Sequence, residues 1–143
     1  MKNKLRRFQG AIIVSLASSF YIYEFFLRVM PSVITDELMR DFAIGATLMS
    51  TMTACFLYAY ALMQIPSGLL IDRFGPRKLL TTAVAICAFA TYLFQSSTHF
   101  LIGSLTRLMI GGAASFAFIA PLTLASRWFA SKHFALIAGL IQL

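Results

Sequence analysis

Residues 44–78 read IGATLMSTMTACFLYAYALMQIPSGLLIDRFGPRK. From Ile44 to Leu70 there is no Asp, Glu, Lys or Arg, and then Asp72, Arg73, Arg77 and Lys78 arrive together. A helix rises 1.5 Å per residue, so about 20 largely apolar residues cross a hydrocarbon core about 30 Å thick. The uncharged stretch is longer than that. Backbone groups inside lipid must be satisfied within their own segment, which makes the stretch a membrane-spanning helix. Gly75-Pro76 then supplies a turn in the charged segment that follows.

Working outward, three more segments pass the same test. They cover about residues 10–34, broken only by Glu24 and Arg28, about 79–94, and about 100–124, broken only by Arg107. Gln95 to His99 is a short polar connection between the last two. A basic leader occupies residues 1–9, and a fifth apolar stretch begins within residues 133–143, too short to cross a bilayer. The expectation is an all-α membrane protein with four full transmembrane helices and the start of a fifth. The N-terminus reads as natural and the C-terminus as a truncation. A signal peptide is the competing reading of the first apolar run, but the run is too long and further spans follow it.

Composition agrees. Hydrophobic residues make up 59% and charged residues 12%, against roughly 25% charged in soluble domains. The net charge of +7 does not point to nucleic acid, because the basic residues form short clusters between apolar runs. Cys55 and Cys87 lie inside apolar runs, with no metal spacing or disulfide framework. No catalytic constellation, phosphate-binding glycine loop or cofactor motif occurs, so neither an enzyme nor an ATP-driven pump is indicated. Lys and Arg also set an orientation. Lys2, Lys4, Arg6 and Arg7 precede the first span, Arg73, Arg77 and Lys78 follow the second, and Arg127 and Lys132 follow the fourth. The alternate connections hold only Arg40, beside Asp36, Glu37 and Asp41. The positive-inside rule therefore predicts a cytoplasmic N-terminus, in what reads as a bacterial inner membrane.

Gly68, Leu70, Asp72, Arg73, Gly75, Arg77 and Lys78 fall in register with G-x-L-x-D-R-x-G-R-K, with Pro76 added in the turn. The stretch resembles the signature between helices two and three of the major facilitator superfamily. Read by itself, Gly68 admits a close backbone neighbour, and Asp72 among three cations can make and break a charged contact. The resemblance implies an N-terminal part of a six-helix bundle. It also implies that Gly68, Asp72, Arg73, Gly75, Arg77 and Lys78 act as a conformational latch against a second half absent from the sequence.

Arg28 near the end of the first span, Tyr60-to-Gly68 (YALMQIPSG) in the second, Arg107 with Gly111-Gly112 in the fourth, and Trp128-Phe129 beyond it form a further succession. It resembles the anion:cation symporter branch of that superfamily, whose members move sugar acids and other organic anions. The resemblance implies secondary transport of a small, anionic solute by alternating access. It implies substrate-binding roles for Arg28 and Arg107, and one for Tyr60, which matches the branch pattern.

The residues support this in part. Charge inside a bilayer is costly and faces protein or a water-filled cavity. Arg28 and Arg107 lie at similar depth, and each guanidinium can hold a carboxylate in a fork. Gly103, Arg107, Gly111 and Ser115 share one stripe of small residues that favours close helix contact. Tyr21 shares a face with Glu24 and Arg28 and is a second candidate cavity hydroxyl; packing is the plainer reading for either tyrosine. Glu24 and Arg28, spaced i, i+4, are also able simply to neutralise one another, and Arg28 to snorkel outward. Proton-coupled members of the branch often carry an acid immediately before the first arginine and another seven residues after the second; Leu27 and Ala114 stand there. Glu24 is left as the coupling candidate, with sodium coupling or facilitated exchange as the alternatives. The competing readings are a non-transporting remnant or accessory membrane subunit, and efflux of a non-anionic solute.

Overall fold

The computed structural model describes residues 2–128 and residue 139, and its described elements are helices. Helix α1 covers Lys2–Val33, α2 Thr35–Asp41, α3 Ala46–Phe74, α4 Pro76–Gln95 and α5 Phe100–Trp128. Spans long and apolar enough to cross a membrane are Ile12–Val33, Ala46–Phe74, Pro76–Gln95 and Phe100–Ser126. The stretch from 133 to 143 lies outside the described residues except Gly139. The basic leader is helical from Lys2 and continuous with the first span, in keeping with the helix propensity of Lys and Arg.

Two connections differ from the sequence reading. The expected loop after α1 holds a helix, α2, with Asp36 and Glu37 in its first turn and Arg40 in its last. Those charges complement the helix dipole, a local signal that hydropathy misses. The charged segment between α3 and α4 is almost entirely helical. α3 runs through Asp72 and Arg73 to Phe74, α4 starts at Pro76, and Gly75 alone joins them at φ 84°, ψ 149°. That conformation is essentially reserved for glycine, and Pro76 at the first helical position loses no hydrogen bond it would otherwise make.

α5 is the element on which α1, α3 and α4 all pack, while α3 and α4 touch one another little. Its inward residues Ala113, Ala114, Ala117 and Ala120 meet Phe20 and Leu27 of α1, Phe56 and Ile71 of α3, and Ala83, Cys87 and Ala90 of α4 in one core. Small side chains allow this closeness, since lipid leaves packing rather than hydrophobic exclusion to hold spans together. The closest backbone approach is at Gly111, where a Cβ would overlap the Phe56 carbonyl. Gly103 packs against the Phe42 ring and the Met52 sulfur. Gly68, expected to admit such a neighbour, has nothing within reach of a Cβ among the described residues; the close approach belongs to α5.

A second cluster closes the end that carries α2. Leu38 and Phe42 pack there on Met49, Met52 and Phe94, with the Phe42 and Phe94 rings 5.5 Å apart. The outward faces carry large apolar residues, for example Leu16, Phe26, Leu62, Ile65, Leu69 and Leu101. Apolar outside and small inside is the arrangement lipid demands, and the chain is an integral membrane protein.

Candidate functional site

On α1, Val14, Ala17, Phe20, Glu24, Leu27 and Pro31 recur at three- and four-residue steps and are all buried. The helical period therefore carries Glu24 into the bundle, where it has no exposed surface. Arg28, one turn on and beside the stripe, reaches back so that Nη2 lies 3.0 Å from Glu24 Oε1. Among the described residues neither Glu24 oxygen has an aligned hydrogen-bond donor, and the pair is a contact of opposite charges one helical turn apart. The Arg28 guanidinium lies 4.4 Å from the centre of the Tyr60 ring and 5.7 Å from that of Phe56. Phe56 and Tyr60, one turn apart on α3, stack with centroids 6.1 Å apart. Such seating over ring faces stabilises a guanidinium in partly desolvated surroundings. Tyr21, on the same α1 face, sits against Phe118 at 6.0 Å.

Arg107 is 2% exposed. Its Nη1 donates to the Leu27 carbonyl at 2.9 Å, its guanidinium carbon lies 4.5 Å from the centre of the Phe94 ring, and its Nε has no partner among the described residues. Among the described residues it makes no ion pair, and the Glu24–Arg28 pair is the only one there. Arg107 lines a cavity of about 370 Å3 together with Leu27 and Met30 of α1, Ile34 at the α1–α2 junction, Leu38 and Asp41 of α2, and Phe94 of α4. Thr91, Gln95, Ser97 and Thr98 give that cavity a polar side.

The bond to Leu27 brings the Arg107 guanidinium to the residue just before Arg28 in α1. The two guanidiniums nevertheless face different spaces. Arg28 lines a separate cavity of about 320 Å3 with Pro31, Ser32, Met49, Ser50 and Thr53, and the two linings have no residue in common. Adjacent helical positions point about 100° apart, and Leu27 meets Arg107 while Arg28 turns toward α3. Tyr60 thus sits at Arg28 and not at Arg107, while Tyr21 lies against Phe118.

The charged residues of the α3–α4 junction are elsewhere. Asp72, Arg73, Arg77 and Lys78 are exposed at the opposite end of the bundle, and Asp72 makes no ion pair among the described residues. Arg73 lies 5.5 Å from the centre of the neighbouring Phe74 ring. Two features escaped the sequence reading. One is the aromatic seat for each arginine, of which Phe56, one turn before Tyr60, was the available sign. The other is the polar lining contributed by Asp41, Gln95, Ser97 and Thr98, which the fold brings together from two connections.

Residues 11–143 match the Major Facilitator Superfamily. The chain is 33% identical over 117 residues to an uncharacterized transporter of Bacillus subtilis, YybO, covering 82% of this chain and 27% of the relative. It is 30% identical over 112 residues to the probable galactarate/D-glucarate transporter GudP of Pseudomonas putida, covering 74% and 25%. It is 29% identical over 140 residues to the probable sulfoacetate transporter SauU of Cupriavidus necator, covering 91% and 33%. The chain therefore spans about a quarter to a third of the length of these relatives. No solved structure matches. A bundle of apolar helices sealed by small residues agrees with that match over nearly the whole length, and the chain belongs to the Major Facilitator Superfamily.

Proposed function

We propose that this chain forms part of a secondary transporter of a small organic anion, working by alternating access, with Arg107 as the residue that holds the anion. The observation that carries the proposal is the state of Arg107. A guanidinium buried between helices, with no ion-pair partner among the described residues and with an unpartnered Nε, is costly in a membrane protein unless an anion meets it. The adjoining cavity of about 370 Å3 is of a size for a small solute. The names of two relatives, transporters of galactarate/D-glucarate and of sulfoacetate, support a carboxylate or sulfonate as the ligand.

Arg28 has a counter-charge already, so its part is secondary: seated on the Tyr60 ring, it lines a neighbouring cavity with Ser32, Ser50 and Thr53 that the solute meets at another stage, with Tyr60 and Tyr21 as candidate hydroxyls. Glu24 is the coupling residue of this reading. Its pairing with Arg28 ties its charge to whatever Arg28 binds, which is the linkage that symport requires. Gly68, Asp72, Arg73, Gly75, Arg77 and Lys78 form the latch, directed at helices outside those described. The relatives are about three times as long, and the transport path requires further helices of that kind. The basic clusters favour a cytoplasmic N-terminus in a bacterial inner membrane.

The test is uptake by the complete transporter in reconstituted vesicles, with galactarate, D-glucarate and sulfoacetate as probes. Truncating one partner of a buried charge pair costs about 2–5 kcal/mol, so Arg107→Ala should weaken the transported anion roughly 30-fold or more. Arg107→Lys, which keeps the charge but loses the planar fork, should recover only part of it. Uptake of the true substrate surviving Arg107→Ala sinks the proposal.

A further inference from the structure

Pro31 lies inside α1. It has no backbone N–H, so the carbonyl four residues earlier, that of Leu27, loses its regular donor in its own helix. This is the carbonyl to which Arg107 Nη1 donates at 2.9 Å. Leu27 is 4% exposed, Arg107 2%, and Pro31 fully buried, where an unpaired carbonyl is expensive. The same loss occurs at Leu62, four residues before Pro66 in α3, and at Ala117, four before Pro121 in α5. Of the three carbonyls, only that of Leu27 is met by a side chain among the described residues.

What lies beyond the proline matters equally. α1 stops at Val33, Ile34 leaves helical dihedrals at φ −112°, ψ 36°, and α2 begins at Thr35. The end of α1 and the whole of α2 thus hang from a helix weakened at Leu27–Pro31, and both line the Arg107 cavity through Met30, Ile34 and Leu38. Arg107 bonds the weak point from α5 and leaves its Nε edge without a partner. A carboxylate taking that edge need not displace the carbonyl, because the guanidinium has five donors. It would hold the guanidinium between two acceptors and so reinforce the existing bond.

We propose that Arg107 is a positioning residue that clasps α1 at its proline break, and that a carboxylate on its free edge tightens the clasp, drawing the α2-bearing end of α1 onto α5. Substrate and helix position are then linked reciprocally through one side chain. The inference about the carboxylate rests on the anion reading above; the clasp itself does not.

The experiment measures spin-label distances in the complete chain in lipid nanodiscs, with Val33→Cys and Leu101→Cys labelled and Cys55 and Cys87 replaced by Ala. Val33 and Leu101 are 74% and 68% exposed and lie at the α2 end of α1 and α5. Interhelical hydrogen bonds in membranes are modest, so Arg107→Gln should raise the population of long, broad distances roughly three- to tenfold. Pro31→Ala restores the backbone N–H and gives the Leu27 carbonyl a partner within α1. Adding it to Arg107→Gln should return the narrow distribution. Arg107→Lys serves as a second background should Arg107→Gln not fold, with the same rescue expected. Galactarate should narrow the distribution of the unsubstituted protein and leave Arg107→Gln unmoved. Broadening without rescue by Pro31→Ala, or no broadening, overturns the clasp. Galactarate binding in calorimetry without narrowing overturns the link to substrate and leaves the anion reading standing. Rescue by Pro31→Ala with no binding of any carboxylate probe upholds the clasp and defeats the anion reading instead.

Discussion

Glu24 has no exposed surface, an arginine 3.0 Å away, and no aligned donor on either oxygen. Breaking a fully buried ion pair costs about 3–5 kcal/mol; Arg28 is 29% exposed, so solvent takes up part of that loss. Glu24→Gln should therefore leave a folded transporter that still exchanges anion for anion across vesicle membranes but no longer accumulates it against a gradient. Retained accumulation would remove Glu24 from the coupling step. The pairing with Arg28 was legible from the i, i+4 spacing alone. Arg107's partner was not, because a backbone carbonyl leaves no trace in composition; Pro31 four residues after Leu27 is the mark that would have revealed it. The separation of Arg28 from Arg107 was also hidden, since equal depth on two helices says nothing about rotation about either axis.

Helices were the most legible level. Four spans follow from charge-free length, and their small-residue stripe at Gly103, Arg107, Gly111 and Ser115 anticipated the role of α5. The boundaries were less legible, because hydropathy stops where charge begins while backbone hydrogen bonding continues, as it does through Asp72 and Arg73 to Phe74. Which glycine mattered was likewise invisible. A Cβ at Gly111 would overlap the Phe56 carbonyl, whereas one at Gly68 meets nothing among the described residues. Gly111→Ala should force α3 and α5 apart at a cost of about 1–3 kcal/mol, read as a lower unfolding midpoint in a denaturing detergent titration. Gly68→Ala should leave that midpoint in place. Equal effects would mean that the α3–α5 contact is not where the bundle is held.

Among the described residues, charge sorts to the two ends and to Glu24, Arg28 and Arg107 inside, and the positive-inside rule predicts a direction for the bundle. Cysteines placed singly at Lys78 and at Ser97 should react with a membrane-impermeant maleimide from opposite faces, Ser97 in intact cells and Lys78 only after permeabilisation. The reverse pattern would invert the orientation. The arrangement of α3, α4 and α5 has a consequence for how the protein is made. Gly75 is the whole connection between α3 and α4, so the two must enter the bilayer as one hairpin, with no polar segment long enough to wait outside. Yet they hardly touch one another and are joined mainly through α5, which the ribosome delivers later. Until then the hairpin is a pair of splayed arms, its Gly111-shaped gap open to lipid. Assembly is thus timed by the arrival of one helix, and an error in that helix would be noticed by quality control before any solute is.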